Sequence, residues 1–423
     1  MPKELTPYQL AEQKIADALR SGATELNLSN MRLSELPESL GELTHLQRLT
    51  LHHNNLTLLP ESLAKLTQLQ YLNLSKNLLK ILPTWFCTFT QLQELDLYGG
   101  FLRELPDIIQ HIPQLRKLEI SSNQLKSLPS WLGNMTQLQV LYLSYNTLEV
   151  LPDSLGQLTQ LTELNLSYNQ LTALPDSLGQ LTQLTKLDIA NNKLKSLPNS
   201  LGQLAQLQTL HISNNQLTAL PETLGQLLQL QKTSFGNNNL AILPKSLGQL
   251  TQLNSLRVYD NLVTDLPSSL AQLKQLEELD LSDNPLNPAL QSAYNACSYK
   301  NYEPLWAYLR SIEQNAEPLY EAKLVLVGEG NVGKTTLLKA LKNEKGAGAP
   351  KKNERTTHGV EIDIHGIKLP HPDKDGIEIQ LNAWDFGGQD VYRVTHQFFF
   401  SRRSLYLLVW EPRRGVQQGQ VED

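Results

Sequence analysis

Leucine and proline recur along the first two thirds of the chain at a constant interval of 23 residues. Within one interval, Leu164 and Leu166 alternate with polar residues as in a short strand, while Leu155, Leu158 and Leu161 line a return segment. A repeated unit of this kind buries its apolar face only by stacking on its neighbours. The pattern predicts a repeat solenoid over residues 22–288, with about twelve strands between Leu26 and Leu281. The prolines that set the register are Pro37, Pro60, Pro83, Pro106, Pro129, Pro152, Pro175, Pro198, Pro221, Pro244 and Pro267.

Asparagine occupies one slot of this repeat almost without interruption. A buried side-chain amide there would satisfy turn backbone groups that a curved stack leaves unpaired. Only Met31 and Gly100 break the series between residues 31 and 284, and the complete unit resembles a leucine-rich repeat (LRR). The asparagines are Asn54, Asn77, Asn123, Asn146, Asn169, Asn192, Asn215, Asn238, Asn261 and Asn284.

Helical segments are predicted at both ends of the repeat array. Residues 1–21 contain a helix from about Pro7 to Arg20, with Thr6 as its N-cap and Gly22 at its end, which would cover the first repeat. After residue 288 the period stops, and residues 289–318 show helical spacing of apolar residues. This segment is predicted as a helical connector to a second domain at 319–423.

The inner arc of strands predicts a concave surface for protein recognition, because tyrosine and arginine are enriched at protein interfaces. An unselected solenoid surface would also carry scattered tyrosines and charges, so the alternative is that any one of these residues has no partner. The candidate partner-binding residues are Arg48, His52, Tyr71, Tyr98, Tyr142, Tyr145, Tyr168, His211, Arg257 and Tyr259.

A phosphate-binding loop is predicted near residue 330. The strand 323–327 is followed by G-x-x-x-x-G-K-[ST] and then by a helix, which is the setting that this motif requires. Backbone N–H groups would surround the phosphates, Lys334 would contact the β- and γ-phosphates, and the Thr335 hydroxyl would bind Mg²⁺. The predicted nucleotide-binding residues of the loop are Gly328, Glu329, Gly330, Asn331, Val332, Gly333, Lys334, Thr335 and Thr336.

A second motif, D-x-x-G followed by glutamine, comes at the end of the strand 377–384. Asp385 would hold Mg²⁺ through a water molecule, the Gly388 N–H would contact the γ-phosphate, and Gln389 would orient the attacking water. The letters D-F-G also occur in protein kinases, but H-R-D and V-A-I-K are missing. A dinucleotide site is disfavoured because no acidic strand end follows about twenty residues after the glycines.

Composition narrows the choice of partners. The net charge is −6, the chain has two cysteines, and no apolar stretch is long enough to span a bilayer. These values disfavour nucleic acid, a disulfide framework, zinc and membrane insertion. They predict a cytoplasmic protein.

The order of the elements, with W-D-F-G-G-Q at 384–389 and T-H-Q-F-F-F at 395–400, resembles the Roco family of bacterial LRR–Roc–COR GTPases. The resemblance implies an α/β protein, in which an LRR horseshoe and a helical connector precede a partial Ras-like P-loop GTPase domain. It implies binding of GTP, GDP and Mg²⁺, slow GTP hydrolysis, dimerisation through COR, and LRR contacts with a protein partner or with the Roc–COR unit. By similarity to small GTPases, Thr357 is the switch threonine that binds Mg²⁺, with Thr356 as the alternative.

The sequence reaches Asp423 without an N-K-x-D or T-K-x-D motif that would read guanine. We therefore expect the N-terminal part of Roc without COR, a monomer, and a preference for guanine that rests on the resemblance. GTPase activity is expected for the intact parent protein. The main alternative is an LRR recognition fragment whose G domain has no turnover, and the third is an ATP-using signalling NTPase.

Overall fold

The computed structural model describes residues 5–315, 321–327, 337–338, 341, 360–370, 378–386 and 404–408. The chain divides into two compact units, Met1–Asn315 and Ala316–Asp423. Each unit is described by itself below.

Helix α1, Pro7–Ser21, opens the first unit. Its N-terminus is a capping box, in which the Gln9 N–H donates to Thr6 Oγ1 at 3.2 Å and the Thr6 N–H donates to Gln9 Oε1 at 3.0 Å. Its C-terminus is capped by Gly22 in the left-handed conformation, with φ of 66°. Ala11 and Ile15 are buried, so the apolar side of α1 covers the first repeat as predicted.

Twelve three-residue strands form one parallel sheet in sequence order, each paired with the strand 23 residues further along the chain. The middle residue of each strand is buried and the two flanking residues face the opposite side of the sheet. The strands are β1 Glu25–Asn27, β2 Arg48–Thr50, β3 Tyr71–Asn73, β4 Glu94–Asp96, β5 Lys117–Glu119, β6 Val140–Tyr142, β7 Glu163–Asn165, β8 Lys186–Asp188, β9 Thr209–His211, β10 Lys232–Ser234, β11 Ser255–Arg257 and β12 Glu278–Asp280.

The return segment of each repeat contains a five-residue 3₁₀ helix that begins directly after the proline. Successive 3₁₀ helices pack so closely that a Cβ added at Gly179 would lie 2.4 Å from the carbonyl oxygen of Ser200. This slot is glycine in seven of the eleven 3₁₀ helices and holds Ala64, Cys87, Gln110 and Ala271 in the others. Around Gly179 the stack therefore leaves no room for a Cβ. The 3₁₀ helices are Glu38–Glu42, Glu61–Lys65, Thr84–Thr88, Asp107–His111, Ser130–Asn134, Asp153–Gln157, Asp176–Gln180, Asn199–Gln203, Glu222–Gln226, Lys245–Gln249 and Ser268–Gln272.

The asparagine slot forms the predicted ladder of buried amides. Asn169 Nδ2 donates to the carbonyl oxygens of Leu143 and Leu166, both at 3.0 Å, and Asn169 Oδ1 accepts from the Leu148 N–H at 3.0 Å. Each amide thus connects backbone groups of two consecutive repeats. Where Met31 interrupts the series, its backbone N–H donates to Asn54 of the next repeat at 3.1 Å.

Two helices, α2 Pro288–Asn295 and α3 Glu303–Asn315, follow the last strand. Leu290, Leu305 and Leu309 join the solenoid core, and α3 packs against the last 3₁₀ helix. The hydroxyls of Tyr302 and Tyr294 accept hydrogen bonds from the N–H groups of Leu279 and Leu281, at 2.8 and 3.2 Å. These contacts satisfy donors at the edge of β12 that no further strand pairs.

The second unit contains a sheet of strands β13 Glu321–Val327, β14 Val360–Pro370, β15 Glu378–Phe386 and β16 Ser404–Leu408. The spatial order is β14-β15-β13-β16. Strand β13 is parallel to β15 and β16, whereas β14 is antiparallel to β15. Together with the solenoid, this sheet confirms the predicted α/β fold class.

Candidate functional site

The candidate nucleotide site lies at the carboxyl edge of the parallel strands β13 and β15. Strand β13 ends at Val327, directly before the phosphate-binding sequence. Leu326 of β13 is the register partner of Asp385 in β15. Because the two strands are parallel, they end at the same edge of the sheet, where ligands bind in open α/β sheets. The structure therefore places Val327, which precedes the loop sequence, and Asp385, which begins D-x-x-G, at the same edge.

The sheet that supports this edge has an apolar interior. Leu324 and Leu326 alternate on β13 and are buried. Leu337 and Leu338 are helical and follow the loop sequence directly, and Leu338 is buried. A strand therefore precedes the loop sequence and a helical segment follows it, as the motif requires.

Most of the predicted nucleotide ligands lie outside the described residues. Asp385 lies within β15, which ends two residues later than the sequence suggested. The assignments of the other ligands rest on the sequence alone. These are Gly328, Glu329, Gly330, Asn331, Val332, Gly333, Lys334, Thr335, Thr336, Thr357, Gly388 and Gln389.

The candidate partner surface of the first unit consists of side chains that flank or follow the buried strand leucines. At its N-terminal end, the Arg48 guanidinium lies 4.1 Å from the ring centroid of Tyr71 in the next repeat. His52 Nδ1 is 2.8 Å from Ser75 Oγ. Contacts between equivalent slots of consecutive repeats thus hold these side chains in place.

The central part of this surface is a row of polar side-chain contacts across β5 to β8. The Lys117 ammonium lies 5.8 Å from the ring centroid of Tyr142, whose hydroxyl donates to Glu163. Lys186 Nζ donates to Glu163 Oε1 at 2.7 Å. Burial, and then the hydrogen bond to Glu163, raises the pKa of Tyr142. The hydrogen bonds from Lys186 and Tyr142 lower the pKa of Glu163, so this carboxylate stays ionised at neutral pH.

Tyr145 and Tyr168 form a stacked pair beside this row of polar contacts. Their ring centroids are 4.1 Å apart and the ring planes differ by 9°. Both residues have positive φ, 53° and 54°, in a slot where Asn191 and Asn214 occur further along the array. Tyrosine is uncommon in this conformation. The two rings form an exposed aromatic surface with a low cost in side-chain entropy on binding.

At the C-terminal end, Arg257 binds Glu278 through two nitrogens, at 2.8 Å from Nε and 2.6 Å from Nη2. His211 Nδ1 lies 4.0 Å from Asp188 Oδ2, and burial raises the pKa of that carboxyl group. The ring of Tyr259 lies so close to Gly236 that a Cβ there would be 2.2 Å from it.

The predicted partner residues therefore fall into three groups along the inner surface. The sequence pattern of tyrosine, histidine and arginine did not reveal the acidic and lysine residues that hold them, chiefly Glu163, Lys186 and Glu278. Glu163 and Glu278 occupy the same repeat slot as Tyr71, at multiples of 23 residues. Comparing the residues that fill this slot in every repeat identifies both glutamates.

Two family models match the chain. The Roc family, described as "Ras of Complex, Roc, domain of DAPkinase", matches residues 323–422. The leucine-rich repeat region matches residues 25–120, 105–215 and 153–236, which together cover half of the chain.

Curated relatives match the chain over about a quarter of its length. A Roc-COR-CHAT protease from an unknown prokaryotic organism is 45% identical over 117 residues, which is 26% of this chain and 11% of that protein. The probable serine/threonine-protein kinase pats1 of Dictyostelium discoideum is 37% identical over 126 residues, which is 27% of this chain and 4% of that protein. The match thus spans only a small part of each relative.

Among solved structures, an internalin (inlF) from Listeria monocytogenes aligns with a TM-score of 0.55 and 24% identity. The alignment covers 66% of this chain and 89% of the internalin. At this identity the likeness supports the solenoid fold alone.

The fold and these matches define a leucine-rich repeat protein that carries a Roc domain, which is a Ras-like GTPase domain. LRR folds are protein-interaction modules. The chain belongs to the Roco family.

None of the helices in the described ranges is long and apolar enough to cross a membrane. Across the same part of the chain, no group of three or more His, Cys, Asp and Glu residues could hold a metal ion.

Proposed function

We propose that this chain binds GTP and GDP through its Roc domain and couples slow GTP hydrolysis to protein recognition by its LRR module. The observation that carries the proposal is the register of β13 and β15. Leu326 pairs with Asp385, so the strand that leads into G-x-x-x-x-G-K-[ST] lies beside the strand that carries D-x-x-G. Phosphoryl-transfer sites of P-loop NTPases need these two motifs at one sheet edge.

The donor groups in this proposal suit Mg²⁺, because hydroxyl and carboxylate oxygens are its preferred protein ligands. Thr335 and Thr357 would bind the ion directly, and Asp385 would hold it through a water molecule. When bound, Mg²⁺ neutralises charge on the β- and γ-phosphates.

The chain's own residues would perform the remaining steps of hydrolysis. Lys334 would contact the β- and γ-phosphates, and the Gly388 N–H would respond to the presence of the γ-phosphate. Gln389 would orient the attacking water molecule. Loss of the γ-phosphate would release the loops that contain Thr357 and Gly388, as in other GTPases.

The concave surface is the proposed site for a protein partner or for the Roc–COR unit of the parent protein. The stacked pair Tyr145 and Tyr168 and the charged groups on either side of it support this proposal. Aromatic and arginine side chains contribute most strongly when a partner excludes water from them. A cytoplasmic location is part of the same proposal.

The test is a titration of fluorescent GDP and GTP with the full chain in the presence of Mg²⁺. GTP and GDP should displace the probe, ATP should not, and Lys334→Ala should reduce affinity by about 100-fold or more. Lys342→Ala, a lysine replacement just beyond the loop, is the matched control. Thermal unfolding of the LRR array should be the same in all three proteins.

Undiminished nucleotide binding by Lys334→Ala would show that the loop is not part of the nucleotide site. Absence of nucleotide binding by the unaltered chain would instead support the second candidate function, an LRR recognition module without turnover. The three groups of concave residues favour that candidate independently of the Roc domain.

A further inference from the structure

Two exposed slots of the LRR array become apolar in neighbouring repeats. The slot directly after the buried asparagine holds Gln124, Gln170 and Gln216 in three repeats, but Leu78 and Phe101 in two consecutive ones. Leu78 is 39% exposed and Phe101 is 43% exposed. Each of the two residues follows a strand by five positions and so lies outside the sheet.

The second slot lies three residues further along the repeat. It holds Ile81, which is 65% exposed, and Leu58, which is 67% exposed, in two consecutive repeats. Val150 and Ile242 fill the same slot further along the array, whereas Ser127 and Ser196 fill it in other repeats. Neighbouring repeats of a parallel stack are roughly 5 Å apart. Leu78, Ile81 and Phe101 therefore form one apolar strip on adjacent repeats.

A row of cations runs beside this strip. Lys80, Arg103 and Lys126 occupy one slot in three consecutive repeats, and all three are exposed. The ion pairs found between described residues involve none of them. The same slot is threonine in other repeats, as at Thr172 and Thr218. These charges are therefore not needed to stack a repeat.

We propose that this edge surface, defined as Leu78, Lys80, Ile81, Phe101, Arg103 and Lys126, binds an acidic segment of a protein partner that carries apolar side chains. The apolar strip supplies area to bury, and the row of cations without acidic partners supplies charge complementarity. The exposed carboxylate of Glu104 follows Arg103 directly. A protein partner can place a hydrogen-bond donor against this carboxylate.

The edge surface shares no residue with the concave surface or with the predicted nucleotide site, so this inference does not depend on the proposed GTPase function. Its test uses replacements that other repeats already contain, which keeps the array intact. One variant combines Leu78→Gln with Phe101→Gln. The other combines Lys80→Thr with Arg103→Thr. The matched controls are Leu262→Gln and Lys195→Thr, which change the same slots in distant repeats.

The probe is a phage-displayed library of random 16-residue peptides, selected on the full chain. Enriched peptides are then synthesised with a fluorophore and titrated by anisotropy. They should be rich in Asp, Glu and large apolar residues, and their affinity should fall with added salt. Each double variant should weaken binding about tenfold or more, while the controls stay within about twofold.

Three results would overturn the proposal. The first is that no peptide is enriched, or that the enriched peptides bind both double variants as tightly as the unaltered chain. The second is self-association in sedimentation velocity that Leu78→Gln with Phe101→Gln abolishes, which would assign the surface to a second copy of the chain. The third is co-sedimentation with phosphatidylserine vesicles that Lys80→Thr with Arg103→Thr abolishes, which would assign it to a membrane.

Discussion

Leu326 and Asp385 are register partners on the parallel strands β13 and β15. This pairing places the aspartate of D-x-x-G beside the last residues before the phosphate-binding sequence, although 58 positions separate the two in the chain. Parallel register thus joins two motifs that the sequence shows only separately.

Asp385→Asn tests the role of this pairing in metal binding. The amide cannot supply the negative charge that holds a Mg²⁺-bound water, so affinity for GTP in the presence of Mg²⁺ should fall about tenfold or more. Affinity measured in EDTA should change little. Asp363→Asn, on the neighbouring strand β14, is the control. Equal losses with and without Mg²⁺ would show that Asp385 acts on folding rather than on the metal.

Gln389→Leu separates hydrolysis from binding. If Gln389 orients the attacking water, single-turnover GTP hydrolysis by the intact parent protein should slow by about tenfold or more. The Kd for GTP should stay within about threefold, because the side chain does not hold the nucleotide. The measurement is phosphate release after mixing with GTP. An unchanged rate would remove Gln389 from the mechanism.

Asn169→Ala tests the ladder of buried amides. The change leaves the Leu143 and Leu166 carbonyl oxygens and the Leu148 N–H without their side-chain partner. We expect a loss of about 3 kcal/mol or more in the free energy of unfolding, measured in urea, because each buried unsatisfied group costs about 1–3 kcal/mol. Asn199→Ala removes an exposed amide and should change stability by less than about 0.5 kcal/mol.

The spacing of 23 residues was sufficient to predict this ladder, because identical slots in a stack meet identical surroundings. The row of polar contacts from Lys117 to Lys186 could not be predicted in the same way. Its members differ from repeat to repeat, and their pairing depends on side-chain directions across four strands. The nucleotide motifs were recognisable from their letters, but only strand register shows that Asp385 lies beside β13.

Gly179→Ala tests the packing of the return segments. The added Cβ would meet the Ser200 carbonyl oxygen at 2.4 Å, a contact that requires the backbone to move. Overpacking of this kind costs about 1–3 kcal/mol, and urea unfolding measures it. The sequence did not predict this constraint, because leucine spacing does not reveal the distance between repeats. Ala64 and Ala271 occupy the slot of Gly179 in other repeats, so the variant tests the spacing of the stack around Gly179 itself. Ser196→Ala, at an exposed position where Ala173 and Ala219 stand in neighbouring repeats, is the control. Equal stability of the two variants would contradict close packing at Gly179.

Glu119→Gln tests the electrostatics of the inner surface. Burial, with a smaller contribution from Asp96, raises the pKa of Glu119 even though its carboxylate accepts from the Ser121 N–H at 2.8 Å. A neutral amide keeps an acceptor for that N–H and avoids the cost of burying charge. The variant should therefore be more stable than the unaltered chain at pH 7.

The pH dependence of this difference follows from the direction of the pKa shift. A raised pKa means that the folded state binds the proton more tightly than the unfolded state, in which the pKa of Glu is about 4.3. The unaltered chain should therefore gain stability relative to Glu119→Gln as the pH falls through the folded-state pKa, and the gain should be complete below about pH 4. Urea unfolding between pH 7 and pH 3.5 measures it. Glu12→Gln, at an exposed position of α1, controls for the loss of one charge. A stability difference that does not change with pH would show that burial of the Glu119 charge is not its cause.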